Sequence, residues 1–318
     1  MIDIIGYRKY FIGVSLLLTV IAAVALFYPG LQMGIDFTAG SSITLDFKGA
    51  DPGSEVVRKT FADAGHDEAI VQKAGSAQYF VRTKELGVTG IENVNAALKG
   101  KFGDGYSVLE VSTVGATVAS EAVRTAIIAV AVSLIFVMLY VVYVYRSVPH
   151  PYQYAVSAVV PLMHDALIAL GAFAILGKLI GTQVNAIFVV GILTIIGYSV
   201  NNTVIVFDRV RENVRSAPSR PFGATVNQAI NETLVRNLNS NITTLIAVLA
   251  MLMLGGQSLR DFMILLFIGI GVGMYSSTFV AAQLLVSWES GELGDIARLR
   301  FLRRRKPQVK PQAQNQQA

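Results

Sequence analysis

A six-span membrane protein carrying one extramembrane α+β domain is the fold class this sequence predicts, and three observations lead there. Hydrophobic residues make up 53% of the chain and charged ones 15%, with a mean hydropathy of +0.55, too apolar for a soluble protein of 318 residues. Apolar runs with few or no charges recur at residues 11–28, 126–145, 152–176, 186–207, 242–254 and 262–286. At ~1.5 Å rise per residue, a helix of about 20 residues crosses a bilayer core of about 30 Å. Residues 31–115, by contrast, have ordinary soluble composition.

The first run follows Arg8 and Lys9. It is long for the hydrophobic region of a signal peptide, and a protein with later spans needs no cleaved leader, so residues 1–30 are read as a retained span. In the soluble stretch, residues 42–47 alternate and suit a strand, and Pro52-Gly53-Ser54 opens a helix to about Ala64, with Ser54 as its expected N-cap. Residues 69–73 and 78–82 read as a hairpin about Gly75-Ser76, residues 89–102 as a helix with Ile91, Val94 and Leu98 on one face, and residues 107–111 as a last strand. The order βαββαβ is that of a ferredoxin-like sandwich.

Residues 116–290 supply the remaining five spans. The second ends at Arg146 and the helix-breaking Pro149-His150-Pro151, the third holds His164-Asp165 midway, and the fourth is followed by Arg209, Arg211, Arg215 and Arg220. Val226, Ile230, Leu234 and Leu238 recur at i+4, which predicts an amphipathic surface helix over residues 222–237. The fifth span is short, and must draw on Asn237, Asn239, Ser240 and Asn241 for length. In the sixth, Gly269, Gly273 and Ser277 have the small-xxx-small spacing of close helix contacts. Basic residues flanking the spans put both termini on the cytoplasmic side and the soluble domain outside. Residues 291–318 are basic and then Gln- and Pro-rich, the composition of a disordered cytoplasmic tail.

Two polar motifs stand out: Gly34-Ile35-Asp36-Phe37-Thr38-Ala39-Gly40 after the first span, and the stretch from Gly197, Tyr198, Ser199, Asn201 and Asn202 to Asp208, Arg209 and Glu212 along the fourth. Ser199, Asn202, Val206 and Arg209 fall on one helical stripe, and polar groups in a span face protein or water by default. Asp165 is an ionisable group at membrane depth and so a proton-handling candidate. Asp36 and Thr38 read as a turn with local side-chain to backbone hydrogen bonds.

Both motifs resemble those of the SecF family of bacterial protein-export membrane subunits, related to the resistance-nodulation-division transporters, and the likeness extends over residues 1 to about 290. That resemblance implies pairing with SecD beside the SecY-SecE-SecG channel in the bacterial inner membrane, with the proton gradient assisting export of unfolded preproteins. It also implies that Arg236 faces position 202 across the fourth and fifth spans. Two departures stand out: Ala39 replaces a glycine of the signature, and Asn202 replaces the family's usual aspartate, so that position cannot titrate. An exporter of small molecules fits less well, since the soluble stretch is too short for substrate-enclosing domains, and a passive translocase scaffold is the other alternative.

No phosphate-binding loop, metal-ligand cluster or nucleophile triad occurs, so neither an enzyme, a cofactor nor a metal is expected. Basic residues beside apolar runs suit the surface of a lipid bilayer rather than nucleic acid. The absence of cysteine excludes disulfides.

Overall fold

A computed structural model describes residues 1–49, 51–73, 76–255 and 257–291. Gly75 of the expected hairpin turn about Gly75-Ser76, and the expected tail from residue 292, lie outside the described residues. Among those described, six helices are long and apolar enough to cross a membrane.

Helix α1 (Arg8–Phe27) leads into a one-turn helix α2 (Ile35–Thr38) and strand β1 (Gly40–Phe47). Helix α3 (Ser54–Asp63), strands β2 (Ile70–Lys73) and β3 (Gln78–Thr83), helix α4 (Val88–Phe102) and strand β4 (Tyr106–Val114) complete the soluble part. The strands form one antiparallel sheet in the order β2-β3-β1-β4, with Ile43 opposite both Val81 and Val111. Period-two alternation sends Ile43, Leu45, Tyr79 and Val81 to one face, where Val57 and Phe61 of α3 and Val94 and Leu98 of α4 cover them. Ser54 does not cap α3. Gly53 holds the N-cap position, with its N–H donated to Asp51 Oδ1 at 3.0 Å, and Ser54 is the first helical residue. Asp51 also accepts from Lys73 Nζ and Tyr79 OH.

Five long elements follow: α5 (Ala116–Val144), α6 (Pro151–Ile180), α7 (Ala186–Ser216), α8 (Phe222–Leu254), and a last span made of α9 (Gln257–Ser276), a π-helical turn (Ser277–Ala281) and α10 (Ala282–Glu289). Pro151 starts α6, where its missing N–H costs nothing, and Gly181 ends it in the left-handed conformation. Asn185 caps α7 by accepting from Phe188 N at 2.9 Å.

The expected surface helix and fifth span are one continuous helix, α8. Val226, Ile230, Thr233, Asn237 and Asn241 are all buried on it, so one stripe turns inward along most of its length, while Leu238 is exposed. Of the polar residues that interrupt the hydropathy pattern, Asn237 and Asn241 pack inward and Asn239 and Ser240 are exposed, and none of them breaks the helix. At one end of the bundle Ile4 packs with Tyr145, Val226 and Val286, and the Asn227 and Asn231 side chains hold the backbone of Ile2. The soluble sheet sits at the opposite end, beside the α6–α7 loop.

Candidate functional site

Asp165, on α6, is fully buried among α1, α7 and α9. Ser199 Oγ of α7 donates to its Oδ2 at 2.7 Å, and Ser276 Oγ of α9 donates to the same oxygen at 2.6 Å. His164 Nδ1 lies 3.0 Å from Oδ1, and His164 Nε2 lies 2.7 Å from Ser15 Oγ on α1. Three helices thus meet at one carboxylate, and α1 joins them through His164. A buried carboxyl is costly unless hydrogen-bonded, and here both of its oxygens have partners. With Nδ1 donating to Asp165, the imidazole accepts the Ser15 hydroxyl at Nε2, while an imidazolium would donate at both nitrogens. The cluster can therefore hold or pass a proton between a carboxylate and an imidazole.

Small residues make this approach possible. A Cβ on Gly273 would sit 3.2 Å from Ser199 Cβ and 3.6 Å from Asp165 Oδ2, and one on Gly269 would sit 2.1 Å from Ile195 Cδ1. The contact made by Gly269 and Gly273 is thus internal, α9 on α7, and Ser277, also buried, opens the π turn. An i→i+5 turn next to a polar cluster is a common functional feature.

Asn202 is buried one turn along α7 from Ser199, and its Nδ2 donates to Asn241 Oδ1 of α8 at 3.0 Å. Asn241 Nδ2 in turn donates to the Asn237 carbonyl at 2.6 Å. The expected pairing with Arg236 is not formed. Arg236 is exposed, because burial of Asn237 and Asn241 on the inward stripe turns position 236 outward. Tyr198 OH lies 2.7 Å from Thr244 Oγ1, a second α7–α8 tie, while Gly197 and Asn201 are exposed.

Asp208 and Arg209 do not pair with each other. Arg211 bridges Asp208 at 2.7 Å, whereas Arg209 Nε reaches Glu232 Oε2 and its NH1 reaches Glu212 Oε2, both at 2.6 Å. Asn213 Nδ2 also donates to Glu232, at 2.9 Å, so the polar end of the fourth-span motif is a strut between α7 and α8.

The other motif also departs from expectation. Thr38 Oγ1 does donate locally, to the Gly34 carbonyl at 3.0 Å, but Asp36 Oδ2 accepts from Ala186 N at 2.7 Å, at the start of α7. Gly34 N donates to the Val184 carbonyl at 2.7 Å, and Phe37 packs against the bundle core. Gly40 has φ +126°, and a Cβ there would lie 2.5 Å from the Thr83 carbonyl oxygen, so only glycine fits.

The family model for Protein export membrane protein SecD/SecF, C-terminal, matches residues 93–291, and that for the SecD/SecF GG motif matches residues 24–51. The chain is 37% identical to Protein translocase subunit SecF of Thermobaculum terrenum, covering 97% of this chain and 99% of that one. It belongs to the SecD/SecF family.

Another SecF, from Anaerolinea thermophila, is 34% identical over 92% of this chain and 96% of its own length. The crystal structure of SecDF, a translocon-associated membrane protein from Thermus thermophilus, superposes with a TM-score of 0.81 at 32% identity. The match covers 91% of this chain but 39% of that one, so this chain corresponds to a part of that longer polypeptide. A SecDF structure in its super-membrane-facing form gives a TM-score of 0.65 at 30% identity.

In SecD/SecF terms, Ala39 occupies a backbone position with φ +62° and ψ 165°, a region essentially reserved for glycine, so its departure from the signature carries strain. Sequence reasoning missed Ser15 and Ser276, and took Asn241 only as length for the fifth span. Ser276 stands beside the noted Ser277, but a hydroxyl within a span is too common to single out.

Proposed function

We propose that this chain is the SecF-type half of a SecD–SecF pair, and that it couples the proton gradient to late steps of preprotein translocation through the SecY-SecE-SecG channel. The observation that carries this reading is Asp165, a buried carboxylate at the meeting of α6, α7 and α9 with hydroxyl donors and a histidine around it. With Asn202 in place of the usual aspartate, Asp165 is the proton acceptor within this chain, and His164 is its exchange partner. The relatives named SecDF, of which this chain covers 36% and 38%, support a partner of SecD type.

The protein spans the bacterial inner membrane with both termini cytoplasmic. The bundle end bearing Arg146, Arg211, Arg215 and Arg220 is cytoplasmic by the excess of basic residues. The sheet domain, a ferredoxin-like sandwich spanning residues 31–115, then lies outside, where emerging preprotein would meet it. Lys178 and Arg260 lie at that outer end.

Export into membrane vesicles, measured with and without a proton gradient, tests the reading. Asp165→Asn should lose the gradient-dependent part of export while keeping the part seen without a gradient. Full gradient stimulation in that variant would leave the chain a passive scaffold.

A further inference from the structure

Loop 181–185, which joins α6 to α7, is gripped from both sides. From one side, Asp261 Oδ2 at the start of the last span accepts from Gln183 N at 2.9 Å. From the other, the segment after α1 runs beside it: Gly34 N donates to the Val184 carbonyl at 2.7 Å, and Val184 N donates to the Gln32 carbonyl at 2.8 Å. Asp36 Oδ2 takes Ala186 N at 2.7 Å.

The sheet is tied to the same place. Gln183 Nε2 donates to Gln72 Oε1 at 2.9 Å, and Gln72 Nε2 donates to Gln32 Oε1 at 3.2 Å, so three side-chain amides form a ladder from the loop to strand β2 and on to the stalk, the segment after α1. Arg82 of β3 donates to the Met33 carbonyl, and burial lowers its pKa. Thr182, Gln183 and Val184 are all buried, which is unusual for a loop connecting two spans.

Asp165 belongs to α6 and Ser199 to α7, the two helices this loop joins. At about 1.5 Å per residue the loop lies about 24 Å along the helix axis from Asp165 and about 21 Å from Ser199. Helices transmit axial displacement stiffly, and a loop with its backbone groups bonded on both sides has little slack to absorb it. Sliding of α6 against α7 would therefore be delivered to the stalk and to β2.

We propose that loop 181–185 is the joint that passes a rearrangement at Asp165 to the soluble domain, with Asp36 and Gln72 as its positioning residues. This rests on the reading of Asp165 given above as the proton acceptor. Asp36 acts at a distance from the carboxylate and touches neither proton nor preprotein.

Hydrogen exchange on the full chain in lipid nanodiscs separates this joint from a merely structural brace. Asp165→Asn serves as the fixed neutral form, and Ser276→Ala as a milder perturbation in case the first does not fold. Either change should raise exchange by about tenfold at residues 181–186 and also at strand β2. Adding Asp36→Asn and Gln72→Ala should keep the response of the loop and abolish that of β2. Equal responses of β2 in both backgrounds, or a loop that ignores both perturbations, would overturn the joint. Gradient-independent export together with a transmitted exchange response would remove the proton reading and leave the joint standing.

Discussion

Asn202 donates to Asn241 across the α7–α8 contact at 3.0 Å, and Asn241 passes its own donor to the Asn237 carbonyl at 2.6 Å. An aspartate at position 202 could keep this arrangement only while protonated. Once ionised, it would set a carboxylate oxygen against Asn241 Oδ1, and Asn241 would have to turn over and abandon Asn237.

Asn202→Asp should therefore add a pH-dependent step at this contact. Amide exchange along the middle of α8 should rise on deprotonation in the variant, and should show no such step in the chain as given. Identical pH profiles would show that position 202 has no switching role in this bundle.

Ala39→Gly should stabilise the protein by ~1–2 kcal/mol, because glycine adopts the φ +62°, ψ 165° backbone without the side-chain clash. The check is a rise in the thermal unfolding midpoint in detergent. A lowered midpoint would mean that the alanine methyl contributes packing worth more than the strain.

Gly269→Leu should be more damaging than Gly273→Leu, since the first added carbon would lie 2.1 Å from Ile195 Cδ1 at position 269 and 3.2 Å from Ser199 Cβ at position 273. Overpacking of this kind costs ~1–3 kcal/mol, and here it would also part α9 from α7 near Asp165. Thermal stability of the purified protein measures it, and an unchanged midpoint would count against the close contact.

Asp51 gives the soluble domain an acid sensitivity. Its hydrogen bond from Lys73, followed by those from Tyr79 and the Gly53 amide, lowers its pKa from 3.8 to about 2. A depressed carboxylate stabilises the fold above its unfolded pKa, and that contribution is lost as pH falls from about 3.8 through about 2. Asp51→Asn should flatten the acid dependence of domain amide exchange over this window. The same acid profile in the variant would show that the carboxylate is not responsible.

The apolar spans were legible because a bilayer core demands long uncharged runs, and Asp165 because an ionisable group inside such a run is expensive. What surrounds Asp165 was not legible. Ser199 and Ser276 meet it, and Ser15 meets its neighbour His164, through the rotations of three separate helices, which no local spacing encodes. Hydropathy divides residues 222–254 into a surface helix and a short span, whereas α8 is one continuous helix on which Asn237 and Asn241 face inward. A local window offers Asp36 only local partners and so suggests a turn, whereas its partner, Ala186 N, lies on another span.

The widened turn at Ser277–Ala281 makes the last span two rods on a swivel. Above it, Gly269 and Gly273 seat α9 on α7, and below it Ala282 and Leu285 seat α10 among Val206, Phe207 and Ile230. Rewinding that turn to ordinary α-helix would rotate one rod against the other by about 100° without breaking the span. Ser276, the last residue of the upper rod, holds Asp165, so the carboxylate is anchored at the pivot itself.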